Sequence, residues 1–223
     1  MSMILDTETI GFPLRIGYDK YYDYKLINKY DSSRIVQLSY MICDEKLDSI
    51  ELKDTIIKLD NFTIKNSNIH GITDEISLSK GEAFIDAANK FYLDLQKVSH
   101  IFAHNIMFDI NIIKSELYRY ELHDIIKEIE SKTLICSMEN TKKIVNITNS
   151  YGLKSPNLAE LYKNVIGTEI TNQHNSKYDV INLHKIIKKL FDSDKYDWLT
   201  LDYSNLAKKR KLNYTKLSDL KIE

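Results

Sequence analysis

Three short stretches of this sequence hold carboxylates where a chain segment changes character. In Asp6-Thr7-Glu8, two acids follow the apolar run Met3-Ile4-Leu5. That run reads as a short buried strand. Residues i and i+2 of a strand share a face, so Asp6 and Glu8 project together. Two carboxylates this close repel unless a cation lies between them. In Ala103-His104-Asn105-Ile106-Met107-Phe108-Asp109, a strand hands over to a helix and Asp109 falls in the helix's first turn. In His174-Asn175-Ser176-Lys177-Tyr178-Asp179, a histidine precedes the last apolar helix and an acid lies in its first turns.

Taken singly, each of these residues has an ordinary reading. Asp6 or Glu8 suits a solvated strand end, Asp109 or Asp179 suits the positive end of a helix dipole, and His174 suits a surface loop. Together, four acids at strand ends and helix starts offer the hard oxygen ligands that Mg²⁺ or Mn²⁺ takes. Two such ions roughly 3.5–4 Å apart clamp an in-line phosphoryl displacement. A histidine beside them is kept neutral by the metal charge and can take a proton from water.

The elements that must position these groups follow from periodicity. After the strand at Met3–Leu5, the tyrosine-rich stretch Tyr18–Tyr30 shows little periodicity and reads as an inserted loop. Ile35–Ile42 reads as a strand, Asp44-Glu45-Lys46 as a turn and Ile50–Lys58 as a third strand. Phe84, Ala87, Ala88, Phe91 and Leu95 recur at helical spacing within Gly81–Val98. Ile101–Ala103 is a short strand, and Phe108, Ile112, Ile113, Leu117 and Tyr120 mark a helix. A strand near Leu134–Cys136 follows. Ser155-Pro156-Asn157 opens a helix with Pro near its first turn, and Gly167 closes it. Val180, Leu183, Ile186, Ile187, Leu190 and Phe191 form the apolar face of a last helix, from about Ser176 to Asp192. The pattern predicts an α/β domain: a mixed sheet with an antiparallel three-strand start, flanked by helices. Beyond Asp192 the composition turns polar and charged, so residues 1–191 read as one domain and 192–223 as a small C-terminal extension.

With 223 residues, 43% of them hydrophobic, the chain can bury one substantial core. Its 31 basic and 32 acidic residues leave a net charge of -1, so attraction to a polyanion must come from a local patch. Cys43 and Cys136 stand apart without CxxC spacing, which excludes a disulfide framework and a structural zinc site and suits a reducing compartment. No segment approaches the ~20 apolar residues of a membrane span, and none has the form of a secretory leader. The expectation is an intracellular, soluble protein without a membrane partner. Nothing in the sequence specifies an oligomeric state.

The three acidic stretches, in this order, resemble the motifs of the DEDDh family of 3′→5′ exonucleases. That family includes the bacterial polymerase III proofreading subunit, the TREX nucleases and oligoribonuclease. Leu5-Asp6-Thr7-Glu8-Thr9 resembles its first motif and His104-Asn105 with Phe108-Asp109 its second. His174, five positions before Asp179, resembles its third; the tyrosine branch has its tyrosine four positions before the acid, where this chain has Asn175. Arg34-Ile35-Val36-Gln37-Leu38, Ile69-His70-Gly71-Ile72-Thr73 and Asn157-Leu158-Ala159-Glu160-Leu161 are similar to secondary signatures of the family.

The resemblance covers about residues 1–191 and implies a ribonuclease H-like fold. It further implies that Asp6, Glu8, Asp109 and Asp179 hold two Mg²⁺ or Mn²⁺ ions and that His174 is the general base. Thr9 and Ile10 would lie against the terminal nucleotide. The implied partner is nucleic acid with a free 3′ end, DNA ahead of RNA, and a DNA polymerase is a candidate protein partner. A non-catalytic binding module is the rival reading, but such a module would be expected to have lost one of the five groups.

The segment 11–33 departs from the family pattern by its length and its tyrosines. Tyr21, Tyr22 and Tyr24 either stack bases or pack the loop onto the domain. His104 reads as a packing or supporting residue, His70 as structural, and His100, His123 and His184 as surface or satisfied core residues. Lys185, Lys188 and Lys189 read as a solvated helix face. Lys208-Lys209-Arg210-Lys211 is the most basic run, and Leu206, Leu212 and Leu217 around it could pack on the domain.

Overall fold

In the computed structural model, which describes residues 1–17 and 20–193, the first strand does not end at Leu5. β1 (Ser2–Thr9) continues through both acids. Its early residues Met3, Ile4 and Leu5 are fully buried. The segment 11–33, read as an inserted loop around Tyr18–Tyr30, carries short regular pieces among its described residues: β2 (Arg15–Gly17), β3 (Lys20–Tyr21) and two 3₁₀ turns. Then come β4 (Ile35–Cys43), β5 (Ser49–Ile56), α1 (Ser67–His70), α2 (Asp74–Lys80) and α3 (Phe84–Leu95). β6 (His100–Ala103), α4 (Ile106–Arg119), α5 (His123–Ser131), β7 (Thr133–Cys136) and α6 (Ser137–Val145) follow. A small hairpin of β8 (Thr148–Asn149) and β9 (Gly152–Leu153) leads to α7 (Leu158–Ile166) and α8 (Ser176–Phe191).

The main sheet has five strands in the order β5-β4-β1-β6-β7. β1, β4 and β5 pair antiparallel, the three-strand start that was expected, while β6 and β7 join parallel to β1. Strand parity divides the core. Met3 and Leu5 of β1 pack with Phe91 of α3, Leu117 of α4 and Ile125 of α5 on one face. Ile4 points the other way and packs with Leu161 of α7 and Ile186 and Ile187 of α8. All nine residues of β4 are buried, which requires helices on both faces.

Local chemistry accounts for the helix ends. Asn157 and Glu160 form a reciprocal capping box at the start of α7, and Gly167 closes it in the left-handed region at φ 93°. Pro156 therefore lies just before the cap, not in the first turn. The predicted helices near 81–98, 108–120 and 176–192 are present as α3, α4 and α8. The short helices α2, α5 and α6 were not anticipated. Cys43 and Cys136 are both buried free thiols. Among the described residues no helix is long and apolar enough to cross a membrane. Tyr18, the basic run Lys208–Lys211 and Leu206, Leu212 and Leu217 lie outside the described residues.

Candidate active site

Asp6 and Glu8 alternate with Thr7 along β1 and so face α8, on the side of Ile4. Their partners across β4 are Ser39 and Gln37. These two side chains hold the first residue of α8: the Ser176 N–H donates to Gln37 Oε1 at 3.3 Å and its hydroxyl donates to Ser39 Oγ. One turn further on, α8 delivers Asp179. Carboxylate oxygens of Asp6, Glu8 and Asp179 all lie within 4.8 Å of one another.

Asp109 arrives from the other face. β6 pairs with β1 only over Ser2–Ile4, so the edge of β1 beyond Ile4 is open. α4 begins after Asn105, which takes the left-handed conformation at φ 67°, and turns Asp109 toward that open edge. The Thr7 N–H donates to Asp109 Oδ1 at 3.0 Å and the Thr7 hydroxyl donates to the same oxygen at 2.8 Å. The carboxylate thus takes the place of the missing strand partner. Asp109 is buried, at 2% exposure.

Four acids gathered in this way disfavour their own charges. Burial, then the charges of Asp109, Asp179 and Glu8, pushes Asp6 well above the usual carboxylate range. Burial, then Asp179 and Asp109, raises Glu8 to about 8. Burial raises Asp109 to about 7 against the two Thr7 hydrogen bonds, and raises Asp179 to about 6 against the His174 N–H and imidazole. A divalent cation removes that repulsion. The donors are all carboxylate oxygens, the kind that hard cations such as Mg²⁺ or Mn²⁺ prefer. The donor set therefore fits such a metal.

His174 stands just before α8 in the left-handed region, at φ 62°. Its backbone N–H donates to Asp179 Oδ2 at 3.1 Å, and its side chain is exposed. The ring is near enough for its charge to hold down the Asp179 carboxyl. Thr9 is buried, its hydroxyl donating to the Gly11 carbonyl at 2.7 Å, while the Ile10 N–H donates to the Arg34 carbonyl. The chain then turns at Gly11, where a Cβ would lie 2.8 Å from the Ser32 carbonyl oxygen. Beyond the turn Phe12 is 69% exposed and rests edge-on against Phe108, the neighbour of Asp109.

The RNase T family model, described as an exonuclease, matches residues 3–187. The chain belongs to this exonuclease family. It is a nuclease. No curated protein matches the chain by sequence. Among solved structures, exonuclease X in complex with 5′-overhanging duplex DNA matches with a TM-score of 0.58 at 16% identity, over 88% of this chain and 94% of that one. Escherichia coli exonuclease I in complex with a dT13 oligonucleotide matches at 0.67 and 20% identity, over 91% of this chain. This nuclease corresponds to 42% of the length of that exonuclease I chain. At these identities the likeness shows a shared fold, the ribonuclease H-like mixed sheet.

Within this exonuclease fold His104, His70 and His184 bond to neighbouring elements. His104 bonds the Ser137 hydroxyl and the Pro156 carbonyl, tying the end of β6 to the starts of α6 and α7. Buried His70 accepts from the Ile72 N–H on Nδ1, which leaves Nε2 to donate to Asn66 Oδ1; Asn66 in turn donates to the Thr9 carbonyl. His184 bonds the Leu47 carbonyl. Tyr22 and Tyr24 pack against the core, as the packing alternative held. Lys188 bonds the Lys46 carbonyl and pairs with Asp48 and Asp192. The sequence reading missed Thr7, Ser39 and Ser176 as supports of the acids. Strand parity alone could have flagged Thr7, since it occupies the opposite face between two acids.

Proposed function

We propose that this exonuclease degrades DNA from a free 3′ end, hydrolysing one phosphodiester bond at a time and releasing nucleoside 5′-monophosphates. The observation that carries the reading is the convergence of Asp6, Glu8 and Asp179 within 4.8 Å, with Asp109 held alongside through Thr7. Asp6, Glu8, Asp109 and Asp179 would hold two Mg²⁺ or Mn²⁺ ions. When bound, such a pair stabilises the charge on the attacking and leaving oxygens of an in-line displacement.

The protein's own groups supply the rest. Thr7 occupies one oxygen of Asp109 and fixes the rotation of the carboxylate, so the other oxygen keeps a set direction. His174, linked to Asp179 through its backbone and free at its ring, takes the proton from the attacking water as general base. Thr9 and Ile10, held by Gly11, Asn66 and Arg34, form the backbone against which the terminal nucleotide lies. Exposed Phe12 offers an aromatic face to a base. Residues 1–191 form the catalytic domain and 192–223 an extension that supplies none of these groups.

DNA is favoured over RNA because the similar structures named above hold DNA. The test is digestion of matched 5′-labelled single-stranded DNA, duplex DNA and RNA with Mg²⁺ or with Mn²⁺. A ladder shortening from the 3′ end, fastest on DNA, is expected. Faster digestion of RNA would replace the substrate assignment, and digestion that persists in EDTA would remove the metal mechanism.

A further inference from the structure

The acids of β1 belong to cross-strand rows on the α8 face of the sheet. One row runs Asp6, Ser39, Asp54 over β1, β4 and β5, and the next pairs Glu8 with Gln37. Asp54 Oδ1 accepts from Gln37 Nε2 at 2.7 Å and from Ser39 Oγ at 2.8 Å. Those two bonds orient the groups that meet α8. A glutamine amide can turn either end toward a neighbour. With Nε2 committed to Asp54, the Gln37 carbonyl oxygen is the end that meets the Ser176 N–H. The Ser39 hydroxyl, having donated to Asp54, presents a lone pair to the Ser176 hydroxyl. Without Asp54 the Gln37 amide loses the partner that sets its direction, and the flipped amide opposes a donor to the Ser176 N–H.

We propose that Asp54 is a positioning residue for this nuclease. Through Gln37 and Ser39 it sets the seat of the first turn of α8, and with it the placement of Asp179 and His174 against Asp6 and Glu8. This rests on reading the four acids as the metal site. Asp54 is exposed on the edge strand β5, two strand spacings or roughly 10 Å from Asp6. Its removal leaves no buried cavity, so a catalytic effect from this position reflects the network and not unfolding. Small displacements of a catalytic constellation suffice, since an error of about 1 Å costs on the order of 10²-fold.

Two variants separate acceptor geometry from charge. Asp54→Asn keeps a side-chain oxygen that can accept from Gln37 and Ser39 but removes the charge; Asp54→Ala removes both. Glu51→Ala, another acid on β5, is the control. The readouts are amide exchange over residues 174–179, Mn²⁺ affinity by calorimetry, and kcat against KM on a short oligonucleotide. For Asp54→Ala the expected results are faster exchange in the first turn of α8, Mn²⁺ binding and kcat each weakened by roughly 5–50-fold, and a largely unchanged KM. Asp54→Asn and Glu51→Ala should stay near wild type on all three. Wild-type exchange and metal affinity in Asp54→Ala overturn the proposal. Equal damage in Asp54→Asn also overturns it, because charge and not orientation would then be at work. The exchange measurement needs no turnover, so it decides the role of Asp54 even if the wild-type protein fails to cleave nucleic acid.

Discussion

Thr7 and Asp109 are 102 positions apart, yet one oxygen of the Asp109 carboxylate receives both the backbone N–H and the hydroxyl of Thr7, at 3.0 and 2.8 Å. The bond to the N–H forms because β6 stops pairing with β1 at Ile4 and leaves that N–H exposed to the helix that follows. The hydroxyl then adds a second constraint. A carboxylate tied at one oxygen loses its rotation and reaches the neighbouring acids from one direction.

Thr7→Val keeps the strand-favouring shape and the backbone bond but removes the hydroxyl. The expected cost is about 1 kcal/mol of stability from the lost hydrogen bond, with weaker Mn²⁺ binding and a reduced kcat. Thermal unfolding and metal titration of the variant check this. Unaltered metal affinity would show that the backbone bond alone fixes Asp109.

The four acids make the stability of the metal-free protein depend on pH in an uncommon sense. Their folded pKa values lie above the unfolded ones, so the folded state holds more protons. Stability from this source is intact below the unfolded range near 4, and is lost as pH rises through about 6 for Asp179, 7 for Asp109 and 8 for Glu8. Divalent cations compete with those protons. The rise in Tm on replacing EDTA with Mg²⁺ should therefore be larger at pH 8 than at pH 6. An equal or smaller rise at pH 8 would contradict the clustering of charge.

Asp6→Asn and His174→Ala should fail in different ways. Asp6→Asn removes one of the repelling charges, so in EDTA its Tm should exceed that of wild type while metal binding and cleavage are lost. His174→Ala should bind Mn²⁺ and DNA normally and slow single-turnover cleavage by about 10²–10⁴-fold, the usual worth of a general base. A wild-type single-turnover rate in His174→Ala would remove this residue from the mechanism.

Ca²⁺ takes more ligands at longer distances than Mg²⁺. It should support binding of a 3′-ended oligonucleotide with little turnover, measured by fluorescence anisotropy alongside product release. Cleavage in Ca²⁺ at the Mg²⁺ rate would indicate a site less demanding in geometry than four carboxylates at fixed positions.

Arg34 and Glu116 form a buried ion pair at 2.7 Å, with the guanidinium stacked over Phe62. Arg34→Ala should destabilise the fold by about 3–5 kcal/mol, because Glu116 is left charged and unpaired in the interior. The double variant Arg34→Met with Glu116→Leu should recover much of the loss in chemical denaturation. A double variant no more stable than Arg34→Ala would mean the stacking on Phe62, and not the unpaired charge, carries the cost.

The acids themselves and the face that Asp6 shares with Glu8 were legible in the sequence, because the alternation of a strand is a local property. The same holds for α3, α4 and α8, whose apolar spacing runs over enough turns to declare a buried face. The helices α2, α5 and α6 span only 7 to 9 residues, too few for a periodic pattern to separate them from loops. The supports of the site lay further out of reach. The bonds from Thr7 to Asp109, from Ser176 to Ser39 and from Ser176 to Gln37 join residues 102, 137 and 139 positions apart. No local pattern encodes such pairings. They exist because the order β5-β4-β1-β6-β7 sets β4 and the open end of β1 beside the starts of α8 and α4, and only the folded sheet establishes that order.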